Sequence, residues 1–435
     1  MARTKARPYQ EHAEELAAEL RPDTRWDATK CAWYRRSHTS GIWRIDETGI
    51  TEYDIHRSAL RMDADDSHLA ANVRKVLIHH PELAVTAAVW DRDAHLIGTP
   101  GGVFDLDDGE IVGPVTDHLV TRQTGCRIGH PGDCPRWRGF LAEACSGDEA
   151  RVGYLQRWAG YCLSGYTHEH AMLFIHGPGG NGKGTFIETV QHCLGEYAKT
   201  LPMDSLMERD ADRHPADIAM LAGARLAVAN ETKDNRRWDE ARIKTMTGGD
   251  TLTARFMREN YFHFVPCFKL CVVGNHAPTM GQVDEAMRRR LQIVPFTNAP
   301  AKVDQGLREA LKAESRGILA WAVEGFKEWR RVGLNPPDAV LAATADYFDD
   351  EDLLGQFLIE RMERAEGAEC ATSDIRKAYG EWAEANGVGA KSAKRLAGEL
   401  KKRGYAYRRR AGWRGFQGLR VAAGHGGYLV GEDDR

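Results

Sequence analysis

The chain has 435 residues, with 59 lysines and arginines against 63 aspartates and glutamates, a formal charge of −4. At roughly 150 residues per domain this length suggests about three domains. A composition of 42% hydrophobic and 28% charged residues is that of a globular protein and excludes a mainly disordered, collagen-like or disulfide-stapled chain.

The first residues lead into charged, helix-like sequence without an apolar h-region, so no secretory signal is expected. The longest apolar runs, 171–175 and 270–273, fall far short of the roughly 20 residues that cross a bilayer, so no membrane partner is expected. The nine cysteines form no C-x-x-C pair. Cys126, Cys134 and Cys145 with His130 lack zinc-finger spacing and read as ordinary thiols of a reducing cytosol.

Residues 1–133 mix helical stretches with short strands around Trp33, Trp43 and the segment 96–106, which is broken by Gly/Pro turns. Residues 134–167 then place Phe140, Leu141, Tyr154, Leu155, Trp158 and Tyr161 at helix-compatible spacings. Residues 168–300 alternate apolar strands with helices, which predicts an α/β sheet.

The strand 171–175 runs into His176-Gly177-Pro178-Gly179-Gly180-Asn181-Gly182-Lys183-Gly184-Thr185, and an amphipathic helix follows. Strand, glycine loop, lysine and helix are what a nucleotide phosphate loop requires. Glycines let backbone N–H groups turn onto phosphate oxygens, and the helix N-terminus adds positive character. Residues 177–185 are therefore the expected ATP-binding loop, with Lys183 spanning the β- and γ-phosphates. The usual hydroxyl after the lysine is replaced by Gly184. Thr185 is left as a candidate Mg²⁺ ligand, alongside Glu231; otherwise water and carboxylate alone hold the ion.

Two further strands, 225–229 and 268–273, end in polar tips. In a parallel sheet such tips share one edge, where ligands gather. Glu231 is expected to polarise the attacking water and Asn275 to orient it or touch the γ-phosphate. Between the tips, a helical stretch carries Lys244, and 251–257 pairs with 261–264 as a hairpin whose tip, with Arg255, Arg258 and Asn260, is a candidate DNA contact. The alternative for that tip is a plain surface turn. Arg288, Arg289 and Arg290 precede another strand. They form either a solvated face or an arginine finger, with Arg289 or Arg290 reaching a neighbouring subunit.

Residues 301–365 read as helical, interrupted at Pro336-Pro337. Residues 366–435 form a basic module. Within it, 391–420 holds eleven lysines and arginines against the single acid Glu399. Two helices, the second capped by Ser392, followed by a hairpin over 405–421, suggest a winged helix. Lys394, Arg395, Lys401 and Lys402 on the helix and Arg408, Arg409, Arg410 and Arg414 on the wing would grip DNA phosphates.

The ordered set resembles the superfamily 3 helicases of the phage and plasmid primase-helicase type, which include poxvirus primase-helicases. Residues 177–185 resemble Walker A, Asn230-Glu231 Walker B, and Lys244 with 248–250 and 254–255 the B′ region. Residues 273–275 resemble motif C, and 284–286 with Arg289 and Arg290 the arginine-finger segment. Residues 98–105 and 134–137 resemble the domain that precedes the helicase. The resemblance implies an AAA+-like P-loop core between an N-terminal mixed domain and a C-terminal winged helix. It also implies a hexameric ring, ATP with Mg²⁺, and 3′→5′ translocation on single-stranded or forked DNA. The setting it implies is replication of a phage, plasmid or integrated element in the cytoplasm of a bacterial or phage-infected cell. A separate primase or polymerase is an open partner. No paired-acid primase site is evident upstream, so priming is not expected. An ATP-switched origin-binding initiator is the main alternative, and a P-loop small-molecule kinase a weaker one.

Overall fold

Continuous apolar runs suit strands buried on both faces of a parallel sheet, and the computed structural model builds one from five of them. It describes residues 8–62, 68–113, 118–208, 216–230, 236–256, 260–280, 284–300 and 302–422. The strands are β1 (Met172–His176), β2 (Ala198–Thr200), β3 (Leu226–Asn230), β4 (Lys269–Gly274) and β5 (Leu291–Pro295). All pair in parallel, in the order β5-β1-β4-β3-β2. The register puts His176, Gly274 and Pro295 at one level, and Asn230 opposite Val273. The carboxyl ends of β1, β3, β4 and β5 thus form one edge.

The opposite edge is tied down by two buried cations. Arg225 donates to the carbonyls of Leu163 and Leu96, and its guanidinium lies 4.6 Å from the Tyr197 ring. Lys269 donates to the carbonyls of Ser164, Tyr166 and Cys267. Burial pulls the Lys269 ammonium down to about 7. These groups satisfy carbonyls left over where helix Glu149–Leu163 ends.

Helices Pro135–Ala144 and Glu149–Leu163 belong to the same hydrophobic core as the sheet. Trp137 stacks on Phe186 at 5.6 Å and meets Trp321 edge-on at 5.5 Å. Helix Glu149–Leu163 lies against helix Ser315–Val332 with glycines at the crossing. A Cβ placed at Gly160 would lie 2.0 Å from the Phe326 amide nitrogen, and one at Gly325 would lie 2.0 Å from the Gln156 carbonyl oxygen. Residues 134–167 are therefore integral to the core that 315–332 completes. Overpacking of this kind costs about 1–3 kcal/mol or more. Gly160→Ala should lower the melting temperature by several degrees, and a calorimetric trace matching wild type would refute the crossing.

Upstream, a four-stranded sheet (Trp43–Ile45, Ala32–Arg36, Thr24–Asp27, Ala84–Val85) packs with helices Pro8–Leu20, Ile50–Met62 and Leu69–Leu77. Leu16, Trp26, Trp33, Ile55 and Val73 form its core. A three-stranded sheet follows (Leu96–Thr99, Gly102–Asp105, Glu110–Ile111). It joins the core sheet through the Gly98 amide, which donates to the Tyr197 hydroxyl at 2.9 Å.

The chain divides into two compact units, Met1–Thr344 and Ala345–Arg435. The second therefore opens earlier than the expected 366. Its core recruits Leu354, Phe357 and Met362 beside Ile375, Tyr379, Trp382, Leu396, Leu400 and Phe416. Helices Thr372–Ala385 and Ala393–Lys402 match the expected pair, and Ser392 Oγ caps the second by accepting from the Arg395 amide. The strands Tyr407–Arg410 and Trp413–Val421 pair as a hairpin. A third strand, Met362–Ala371, begins inside the segment expected to be helical and pairs with Trp413–Val421. Among the described residues no helix is long and apolar enough to cross a membrane.

Candidate functional site

The glycine loop sits at the carboxyl edge of the sheet, between β1 and helix Lys183–Leu194. Gly177 is required by packing, because a Cβ there would fall 1.9 Å from the Phe296 carbonyl oxygen. Lys183 is buried, at 7% exposure. Its ammonium donates to Gly177 O at 2.6 Å, Pro178 O at 2.7 Å and Asn181 Oδ1 at 3.0 Å. Burial holds this ammonium below the usual lysine range.

Gly184 and Thr185 lie in the first turn of the helix. A Cβ at Gly184 would meet nothing nearer than Glu188 Oε1 at 3.6 Å, so a hydroxyl-bearing residue has room there, but the chain places its hydroxyl at Thr185. No cluster of three or more His, Cys, Asp or Glu able to hold a metal occurs among the described residues.

Next to the loop, His176 Nε2 donates to the Asn275 carbonyl at 3.0 Å, tying β1 to the tip of β4. Burial lowers the His176 pKa, and the nearby Lys183 and His276 charges lower it further, against the Asn275 carbonyl. Asn275 itself is exposed on the same edge. Asn230 ends β3 at this edge, and Glu231 follows it in sequence. Glu231 and Arg258 lie outside the described residues.

The two candidate finger arginines are separated by their contacts. Arg290 is held inward, with Nε on Thr247 Oγ1 at 3.1 Å and a terminal nitrogen on Ala286 O at 2.9 Å. Arg289 is exposed and donates to the Glu285 carbonyl of its own helix, at 3.3 Å. Helix Glu285–Arg290 leads into the amino end of β5, whereas the glycine loop lies at the carboxyl edge. Five residues at about 3.3 Å each separate the two ends, roughly 16 Å. Arg289 therefore stands a strand length away from the loop of its own chain.

Lys244, a candidate DNA contact, pairs with Asp284, the cap of the arginine helix. The pairing joins the helices on either side of the hairpin and helps hold the Asp284 carboxyl below its usual range, against burial. Strands Leu252–Ala254 and Phe262–Phe264 form the expected hairpin. Arg255 lies 4.8 Å from the ring of the exposed Tyr261, and Asn260 is exposed. Phe256, Phe262 and Phe264 stack in series at 5.5 and 5.9 Å, an aromatic run not singled out from the sequence.

In the second unit the eight candidate basic residues are all exposed, and several of them have neighbours within the unit. Arg395 pairs with Glu399 and Arg410 with Glu369, while Arg408 donates to Gln417. Lys401 lies 3.7 Å from the Tyr407 ring. Lys394, Lys402, Arg409 and Arg414 are exposed. Arg409 and Arg414 stand directly opposite each other across the hairpin. Like charges so placed destabilise a strand pair, which suits a surface that meets an anion.

A family described as "D5 N terminal like" matches residues 10–146, and a family of unknown function, DUF5906, matches 175–290. The chain is 26% identical over 372 residues to a provisionally named helicase of Acanthamoeba polyphaga mimivirus, covering 79% of this chain and 39% of that one. It is 27% identical over 261 residues to a similarly named protein of Frog virus 3 (isolate Goorha), covering 55% and 27%. The chain thus spans well under half the length of either relative. Among solved structures, the apo C-terminal region of NrS-1 (residues 305–718) shares the fold, with a TM-score of 0.50 at 9% identity, covering 95% of this chain and 100% of that one.

Proposed function

Because the chain belongs to the D5-like helicase family of phages and viruses, we propose that it is an ATP-driven DNA helicase or translocase. In this reading the five-stranded sheet is a superfamily 3, AAA+-like P-loop core, and the second unit is a winged helix. Subunits assemble head to tail, a heterologous contact that closes into a ring, with six subunits expected. The substrate is single-stranded or forked DNA of a replicating phage, virus or plasmid.

The supporting observation is the buried Lys183 in its glycine loop, at the edge shared by Asn275 and the end of β3. The loop amides and Lys183 bind phosphates. Glu231 activates water and Asn275 orients it. Thr185 and Glu231 would hold Mg²⁺, which neutralises phosphate charge. Arg289, exposed and a strand length from its own loop, serves the site of the next subunit.

Phosphate release measured with and without single-stranded oligonucleotide, alongside strand displacement on a forked duplex, tests the reading. Stimulation with displacement supports a motor. Stimulation without displacement turns the protein into an ATP-switched initiator, a reading that the basic second unit also suits. A flat response leaves a kinase-like P-loop enzyme.

A chain ending at Thr344 should bind the fork more weakly and with a flatter dependence on salt. The slope falls by about 0.9 for each phosphate that the protein no longer neutralises. With Lys394, Lys402, Arg409 and Arg414 removed, a decrease of about three to four is expected. A slope equal to that of the full chain would take the second unit out of DNA binding.

A further inference from the structure

A lysine ammonium has three N–H donors, and the loop around Lys183 occupies all of them. Two go to the Gly177 and Pro178 carbonyls and the third to Asn181 Oδ1. Asn181 is 2% exposed, and its Nδ2 donates to the Phe296 carbonyl. The Phe296 amide in turn donates to His176 O at 2.7 Å, and its ring is fully buried, 6.0 Å from Phe186. One carboxamide therefore spans from the fixed chain at the end of β5 to the ammonium of Lys183.

A triphosphate that engages Lys183 must displace some of these acceptors. Pro178 is exposed, so water can replace the lysine at its carbonyl. Gly177 and Asn181 are buried, and stripping either acceptor of its donor would leave it unpaired away from water, which is costly. We propose that Asn181 is a positioning residue that keeps one Lys183 donor throughout, as the buried Gly177 carbonyl keeps a second, while the donor on the exposed Pro178 carbonyl turns to the phosphate oxygens. Anchored on Phe296, it fixes where the lysine can reach and favours a triphosphate over a diphosphate. This assignment rests on the phosphate-loop reading. It gives the Asn181 side chain a role toward lysine, distinct from the contact its backbone would make with phosphate.

Binding of a fluorescent non-hydrolysable ATP analogue and of fluorescent ADP, both with Mg²⁺, tests it in wild type, Asn181→Ala, Lys183→Ala and the double variant. Loss of one charge-assisted hydrogen bond predicts that Asn181→Ala weakens the triphosphate about tenfold and the diphosphate clearly less. In the Lys183→Ala background, Asn181→Ala should add nothing, because the partner is gone. Equal weakening of both nucleotides, persisting without Lys183, would show that Asn181 only shapes the loop and would overturn the assignment. If Asn181→Ala does not fold, the near-isosteric Asn181→Asp serves. Its carboxylate keeps the lysine but loses the donor to Phe296 and adds charge beside the phosphates, so triphosphate binding should fall by more than about tenfold. Unchanged binding in Asn181→Asp overturns the assignment as well. Wild type that binds neither nucleotide defeats the phosphate-loop reading itself, a result distinct from either of these.

Discussion

Lys183→Ala is expected to abolish ATP hydrolysis, with a loss of at least about 10³-fold. A preorganised positive charge on a transferring phosphoryl group acts in a partly dry site, where it is worth far more than in water. Lys183 is buried in its loop, so such an environment already exists before nucleotide arrives. The substitution removes only hydrogen bonds internal to the loop, so the fold should persist. Phosphate release together with circular dichroism checks both parts. A folded variant that retains a tenth of the wild-type rate would mean that the loop is not where the γ-phosphate is cleaved. Glu231→Gln provides the contrast, since it should bind ATP normally and hydrolyse it poorly.

The second large effect belongs to Arg289. An arginine delivered across a subunit boundary contributes about 10³–10⁵ to the rate, so Arg289→Ala alone should be nearly inactive. Mixed with Lys183→Ala it should recover part of the activity, because a mixed ring contains junctions with an intact lysine on one side and an intact arginine on the other. Arg290→Ala should behave differently. Its side chain ties its own helix to Thr247, so its loss should lower stability and give no recovery in the same mixture. Recovery with Arg290→Ala but not Arg289→Ala would reverse the assignment, and recovery with neither would remove the shared pocket.

The residues legible in the sequence were those whose environment is local. β1, β3 and β4 stood out as apolar runs because parallel strands are buried on both faces, and the loop stood out because strand, glycines, lysine and helix are contiguous. The hairpin 252–264 and the Ser392 cap are likewise short-range features. Strand Met362–Ala371 was not legible. It is rich in glutamate, buries only Met362 and Cys370, and is interrupted by a register shift between Arg364 and Glu369 with Gly367 at φ +78°. Its partner strand lies about fifty residues downstream. The pairing of Lys244 with Asp284 spans 40 positions and has no local signature. Arg225 and Lys269 had a faint one: each is a single basic residue opening an apolar strand. Such a residue is normally solvated, and only the leftover carbonyls at 163–166 explain why these two are inside.

The crossing of helix Glu149–Leu163 with helix Ser315–Val332 also bears on how the protein is made. The first of these helices leaves the ribosome more than 150 residues before the second, and the whole sheet is synthesised in between. Until the later helix arrives, Leu155, Trp158 and the notch at Gly160 have no cover, and closing so long a loop is slow. A nascent chain in that interval displays sticky surface of the kind that chaperones shield. Any fragment ending before Ser315 would keep that surface permanently, so the unit Met1–Thr344 matures only as a whole.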